Sequence, residues 1–210
     1  MESLFNRCSV IVFSRLPVRG AVKRRLAREI GEKEAFSCFK RLYIDSLQEV
    51  LKVNASRFLF LTPYPEDFST FTGSWPLVNN FSVKAQVGDD LGQRMKNALL
   101  EIFKMGFEIG VIVGTDVPDL RAYHIEQAFK RLLYQDIVLG PCEDGGYYLI
   151  GVRSGLRDWQ ELFHEIPWGT SEVFERTIYK AQKMGYKIHV LEMLYDVDHY
   201  EDVMRWRQSE

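Results

Sequence analysis

The sequence has little of what would tie it to a membrane, a nucleic acid or a disulfide framework. No stretch approaches the ~18 consecutive apolar residues that point to a membrane span, and the N-terminal MESLFNR has no basic region followed by an apolar run of signal-peptide length. A soluble, cytoplasmic chain is therefore expected. The three cysteines, Cys8, Cys38 and Cys142, are odd in number, lie far apart and form no CxxC pair, which disfavours zinc or thiol-exchange motifs and suits a reducing compartment. A net charge of -2 provides no global field for nucleic acid or acidic lipid, so a ligand must be recognised locally. The four histidines show no HxxxH or HxH spacing, and Ser14 and Ser154 have no GxSxG setting, against a histidine zinc site and an α/β-hydrolase triad. Neither GxxxxGK[ST] nor GxGxxG occurs.

What remains is the balance of a globular protein, 46% hydrophobic and 27% charged over 210 residues. A single domain over 1–210 is expected, without internal repeat or dividing linker. Short Val-, Ile- and Phe-rich runs at 8–13, 57–61, 81–87, 109–114, 136–140, 147–152 and 187–192 read as strands. Between them, Ala35, Phe36, Phe39, Leu42, Tyr43, Leu47, Val50 and Leu51, and later Leu91, Met95, Ala98, Leu99 and Ile102, recur at helical steps. Continuously apolar strands alternating with helices predict a mostly parallel sheet covered on both faces. A small antiparallel portion is expected after about residue 144, where Gly145 and Gly146 permit a sharp turn into YYLIGV. The region around WPLVNN reads as a surface connection.

Ligands of such sheets sit beyond the carboxyl ends of the strands, and two kinds of charge collect there. After the first strand comes RLPVRGAVKRRLAR, with Arg15, Arg19, Lys23, Arg24, Arg25 and Arg28 and no acidic residue. Pro17 stiffens the entry, Gly20 allows close backbone approach, and a helix beginning near Val22 offers free N–H groups, so a pyrophosphate is the natural guest. Arg25 and Arg28 read as a solvated face. No aromatic residue interleaves the cations, which argues against nucleic acid.

Acidic residues follow the later strands: Asp116 and Asp119, Glu143 and Asp144, Asp196 and Asp198. Carboxylates converging opposite a basic loop suit a magnesium ion carrying substrate phosphates, and that ion is the expected partner of Asp116. Asp119 and Asp198 also have capping roles open to them at the helices that follow, and Glu143 reads as exposed loop. In IPWGTSEVFERT, Thr170 or Ser171 is the expected N-cap with Glu172 in the first turn, while Trp168 beside Gly169 reads as the wall of an acceptor pocket.

Six motifs in this order, RLPVRGAVKRRLA, QVGDDLGQRM, VIVGTDVPDL, DIVLGPCEDGGYYLIG, IPWGTSEVFERT and DVDHYED, resemble the glycosyltransferase-like family known as radical-SAM/selenodomain-associated transferases. The resemblance implies the glycosyltransferase-A fold of the nucleotide-diphospho-sugar transferase superfamily. It also implies a divalent-metal-dependent transferase, using Mg2+ or Mn2+, that acts on a nucleoside triphosphate or a sugar nucleotide and a small-molecule acceptor. Arg15, Pro17, Gly20, Lys23, Gly114 and Thr115 would bind the nucleotide, and Asp116 and Asp198 the metal. Gly145, Gly146, Trp168, Gly169 and Thr170 would face the acceptor, with Lys23, Asp116 and Asp144 catalytic. Nucleotidyl transfer to a phosphorylated or carboxylated acceptor is the first expectation; glycosyl transfer and a non-catalytic nucleotide-binding module are the alternatives. The chain departs from the family pattern at Arg15, Arg19, Arg24 and His199, where lysine, proline, threonine and threonine are usual.

Overall fold

A computed structural model describes residues 7–208. Seven strands, β1 (Cys8–Arg15), β2 (Ser56–Thr62), β3 (Ser82–Ala85), β4 (Ile109–Val113), β5 (Ile137–Pro141), β6 (Tyr147–Arg153) and β7 (Ile188–Val190), form one sheet in the order β3-β2-β1-β4-β6-β5-β7. Every neighbouring pair is parallel except those of β6, which runs antiparallel to both β4 and β5. The antiparallel portion is thus one strand wedged into the sheet by the turn at Gly145, while β5 and β7 return to the parallel direction. The helices are α1 (Arg24–Ile30), α2 (Glu32–Leu51), α3 (Phe68–Ser74), α4 (Leu91–Lys104), α5 (Ala122–Arg131), α6 (Val173–Lys183) and α7 (Tyr200–Gln208).

The continuous apolar strands are explained by two cores, one on each face. Val10, Val12, Leu59, Leu61, Val111 and Val113 meet Phe39, Tyr43 and Leu47 of α2 and Ile125 and Phe129 of α5. The alternate residues Ile11, Phe13, Phe58, Phe60, Ile112 and Ile150 meet Met95, Leu99 and Ile102 of α4. Period-2 side chains from strands buried on both sides leave no polar positions to alternate with.

A third cluster joins Leu26 of α1 and Leu42 of α2 to Tyr195, Val197, Val203 and Trp206. It clamps the late DVDHYED segment onto the helix that follows the basic loop, and so sets two distant parts of the chain side by side. Two expectations change. Pro76–Asn80 is a short 3-10 helix with Val78 fully buried, and Trp75 packs edge-on against Tyr43, so this region contributes to the core rather than only bridging the surface. Leu91, expected on the buried stripe of α4, is 45% exposed because it opens the helix at the crevice rather than over the sheet.

Candidate nucleotide and acceptor site

β1 and β4 are parallel neighbours, so the residues that follow them emerge side by side. Ser14 Oγ and Thr115 Oγ1 lie 3.2 Å apart, and Thr115 is 3% exposed. Thr115, expected to touch nucleotide, is thereby placed as an internal tie between the two strand ends. The chain beyond Arg15 is pinned by Leu16 N–H donating to the Thr62 carbonyl and Ala21 N–H donating to the Val18 carbonyl. Pro17 is buried beneath it. Gly20 turns the loop at φ +82, a conformation that costs a side-chain-bearing residue roughly 1 kcal/mol or more.

Lys23 accepts that cost: its φ is 46 and its ψ 47, at the N-cap of α1. The helix therefore begins at Arg24, two residues beyond the expected start. This turn drives the lysine inward, leaving its side chain 4% exposed, with Nζ 2.6 Å from Asp116 Oδ1 and 3.0 Å from Asp198 Oδ1. Burial pulls the ammonium's pKa down, but Asp116 and Asp198 outweigh it and the net shift is upward. Asp198 moves the opposite way, since burial, which favours its neutral form, is outweighed by the Lys23 charge. Among the described residues, the cation that meets Asp116 is Lys23. Arg15, Arg19 and Arg24 are exposed and, among the described residues, form no ion pair. Arg25, read as solvated, is exposed but approaches Asp198 at 3.5 Å.

Beside this triad lies a cleft of about 260 Å³ walled by Leu91, Tyr147, Trp168 and Val173, with Asp116, Asp144 and Asp196 among its lining. Gly114, Gly146, Gly169 and Thr170 also line it; Arg15, Pro17, Gly20 and Lys23 do not. The Val197 N–H donates to the Asp116 carbonyl at 3.0 Å, which holds the late acidic segment against the end of β4. Asp144 Oδ1 accepts from the Gly146 N–H at 2.8 Å, so the carboxylate also organises its own turn. Burial, with Asp144 and Asp198 nearby, pushes Asp196 up to about 6. Oxygen or sulfur atoms of Cys142, Asp144 and Asp196 lie within 4.8 Å of one another. Burial first, then the surrounding carboxylates, raises the Cys142 thiol's pKa.

Several expected roles fall elsewhere. A Cβ on Gly145 (φ +87) would sit 2.1 Å from the Ser171 carbonyl oxygen, and its own carbonyl accepts from the Phe174 N–H; this glycine seats α6 against the turn and is absent from the cleft wall. Thr170 and Ser171 precede the N-cap of α6, and the Thr170 hydroxyl accepts from the Glu172 N–H at 3.3 Å. Glu172 holds the N-cap position without a side-chain bond, while the Thr170 hydroxyl donates to the Pro167 carbonyl. Asp119 faces Arg121 at 3.6 Å, and α5 is opened by Arg121 and the His124 ring. Before α7, Asp202 accepts from the Asp198 and His199 N–H groups, leaving the Asp198 side chain free of capping and available to Lys23. His199 is engaged with Glu29, away from the cleft, and Glu143 pairs with Arg205 at the surface.

Gly92 has a role that its position in the sequence only hints at. A Cβ there would stand 2.5 Å from Trp168 Nε1, so this glycine makes the seat of the tryptophan. A glycine inside a helix costs about 1 kcal/mol relative to alanine and calls for a packing reason, a signal present in GDDLGQRM. Asp196 and Tyr147 had weaker signals, a carboxylate two residues from another and an aromatic in an apolar strand.

The mostly parallel sheet with one antiparallel strand is the architecture of the nucleotide-diphospho-sugar transferase superfamily. Residues 47–170 match the family described as uncharacterized protein conserved in bacteria (DUF2064), and the chain belongs to that family. Its fold is shared over 92% of its length with 83% of a candidate nucleotide-diphospho-sugar transferase from Desulfovibrio desulfuricans G20, at 30% identity and a TM-score of 0.86. The 4-diphosphocytidyl-2C-methyl-D-erythritol synthase of Anaerococcus prevotii DSM 20548 is 9% identical, with a TM-score of 0.62 over 97% of this chain and 96% of its own. Rv0371c of Mycobacterium tuberculosis H37Rv, solved in complex with manganese, is 13% identical, with a TM-score of 0.58 over 98% and 100%. No curated protein sequence matches. No helix among the described residues is long and apolar enough to cross a membrane.

Proposed function

We propose that this crevice is the active site of a transferase that takes a nucleotide donor. The donor's diphosphate lies on the loop from Arg15 to Lys23 and the second substrate lies in the cleft beside Trp168. The observation that carries this reading is the buried Lys23 ammonium, shared by Asp116 and Asp198 at the root of a loop whose other cations, Arg15 and Arg19, form no ion pair among the described residues. Arg15 and Arg19 would grip phosphate oxygens through charge-assisted bonds. Gly20 lets the backbone approach, and Lys23 supplies a compact point charge.

The donor set fits Mg2+ or Mn2+. Asp144 and Asp196 offer hard oxygens within reach of one another, whereas the soft sulfur of Cys142 is poorly matched to either ion. Asp116 and Asp198 are suitable by type, but an ion needing ligands at about 2.1 Å cannot share with the Lys23 ammonium the space between their facing oxygens; their use requires Lys23 to turn toward the phosphates. A divalent ion would neutralise charge on the donor's diphosphate.

Two chemistries use the same loop. In nucleotidyl transfer, an acceptor oxygen bonds to the α-phosphorus as the bond to pyrophosphate breaks, with Arg15 and Lys23 stabilising the departing charge. In glycosyl transfer, an acceptor oxygen bonds to the anomeric carbon, the carbon–oxygen bond to the diphosphate breaks, and Asp144 accepts the acceptor's proton. Incubation with labelled nucleoside triphosphates and sugar nucleotides plus Mg2+ or Mn2+ separates them. Released pyrophosphate supports the first and released nucleoside diphosphate the second. Nucleotide-induced thermal stabilisation without turnover supports a binding module, and the absence of both stabilisation and turnover overturns the proposal.

A further inference from the structure

The facing carboxylates of Asp116 and Asp198 are bridged by an internal cation. Lys23 Nζ stands 2.6 Å from Asp116 Oδ1 and 3.0 Å from Asp198 Oδ1 with its side chain 4% exposed, and the further cation on this pair, Arg25, reaches Asp198 at 3.5 Å from an exposed position. Both carboxylates are fixed through their backbones. The Val197 N–H donates to the Asp116 carbonyl and the Asp198 N–H to Asp202, while Val197 is buried in one cluster with Leu26 of α1 and Leu42 of α2. Lys23 is held differently. Its carbonyl accepts the Ala27 N–H, which anchors its backbone as the start of α1, but its side chain makes no capping bond there and its φ of 46 is left-handed, where a residue with a Cβ is disfavoured. A flexible four-carbon stem separates that backbone from the ammonium. The ammonium can therefore swing away without unwinding the helix or moving either carboxylate.

From this we infer that Lys23 is a built-in stand-in for a divalent cation: in the nucleotide-free chain it closes the Asp116–Asp198 pair to metal, and the diphosphate of a donor opens the pair by drawing the ammonium onto its own oxygens. The inference rests on reading the crevice as a donor site and adds to it a rule of assembly. An ammonium and a divalent ion between the same two oxygens repel each other at contact distance, so the pair takes one or the other. Withdrawing the ammonium alone leaves two carboxylates face to face, which keeps the lysine in place until a second anion offers it a partner. A phosphate on the loop is such an anion, because the ammonium is a compact charge with three rotatable donors. Asp144 and Asp196 stand outside this exchange. Among the described residues Lys23 forms a salt bridge with neither, so metal bound by the nucleotide-free chain belongs to their side of the cleft. Donor and ion then strengthen each other's binding at the Asp116–Asp198 pair, reciprocally as linkage requires, and Lys23 carries that coupling.

The test counts Mn2+ bound by the full chain, read as loss of the free-ion EPR signal, first without nucleotide. Lys23→Met should bind Mn2+ more tightly than wild type by about tenfold or more, an ordinary size for coupled sites, and adding Asp116→Asn to it should erase the gain. Arg25→Met removes the same charge from the exposed side of Asp198 and should change the affinity by less than about threefold. A smaller gain in Lys23→Met, or an equal one in Arg25→Met, overturns the inference. Should circular dichroism show that Lys23→Met does not fold, the wild-type background decides. There Asp116→Asn should leave nucleotide-free Mn2+ binding within about threefold, and a larger fall means that the pair takes metal with the lysine in place, which overturns the closure. Release is read next with uridine, cytidine, adenosine and guanosine diphosphates, using whichever raises the melting temperature without metal. With that nucleotide saturating, Asp116→Asn should weaken Mn2+ binding by about tenfold or more; binding that stays indifferent to Asp116 overturns the opening by diphosphate. If none of the four raises the melting temperature, the donor reading is what fails, and the nucleotide-free measurements still uphold or overturn the closure by themselves.

Discussion

The two sides of the crevice present opposite chemistry. On the β1 side, a strained turn buries Lys23 between two carboxylates while Arg15 and Arg19 face solvent. On the β4–β6–β5 side, three carboxylates and an aromatic wall enclose a small cleft without a cation. The difference teaches that charge here is sorted by role. A chain of net charge -2 gathers its cations in the loop after β1 and its carboxylates around the neighbouring cleft.

The contrast can be broken most severely at its shared residue. Asp116→Asn should lower turnover by about 100-fold or more, the scale of losing one oriented charge at a reacting centre, measured as nucleotide product released per minute with Mg2+ present. Wild-type activity in that variant would remove Asp116 from the chemistry. Next in size is the seat of the cleft wall. Gly145→Ala places a Cβ 2.1 Å from the Ser171 carbonyl oxygen at φ +87, and overpacking together with left-handed strain should cost about 3 kcal/mol in urea unfolding. Gly92→Ala, blocked mainly by the Trp168 side chain and the Phe163 carbonyl, should cost less, about 1–2 kcal/mol, and shift the tryptophan emission.

The acidic wall carries its own pH signature. Asp196 rises to about 6 in the folded chain through burial, Asp144 and Asp198, so between its unfolded value near 4 and about 6 the folded state holds the extra proton. Stability from this group therefore falls as pH rises through that window, and above it the full penalty stands. With chelator present, Asp196→Asn should be more stable than wild type by about 1–2 kcal/mol at pH 8, after discounting for partial exposure, and the gain should vanish near pH 4. An equal gain at both pH values would show that its carboxylate is not strained by its neighbours. Smallest is the basic wall, where Arg15→Ala should weaken nucleoside diphosphate binding about tenfold, or about 1.4 kcal/mol, more so at low salt. Arg28→Ala, on the far turn of α1, should leave it unchanged; equal losses would mean a diffuse field rather than a built phosphate site.

All seven strands and the antiparallel turn at Gly145 were legible because apolar runs and glycine punctuation are local signals. So was the gathering of Arg15 to Lys23 after the first strand. Helix caps were not. Thr170, Ser171 and Asp119 are good capping residues by type, but Glu172 holds the N-cap of α6, and at α5 the His124 ring accepts the Arg121 N–H. Val78 and Trp75 looked like surface connection because their burial depends on Tyr43, far away in sequence.

The sequence by itself determined the layers, since two-faced apolar strands can be satisfied only between helices, and it determined that cations follow β1 while carboxylates follow β4, β5 and β7. Tertiary structure alone decided which charges meet. The parallel register of β1 on β4 brings Lys23 to Asp116, and the packing of Tyr195, Val197 and Trp206 on α1 and α2 brings Asp198 to the same ammonium. Those partners lie 93 and 175 residues from Lys23, differences of 116 − 23 and 198 − 23, and no local propensity acts over such a separation. Only the burial that closes the intervening chain can hold Lys23, Asp116 and Asp198 at contact distance.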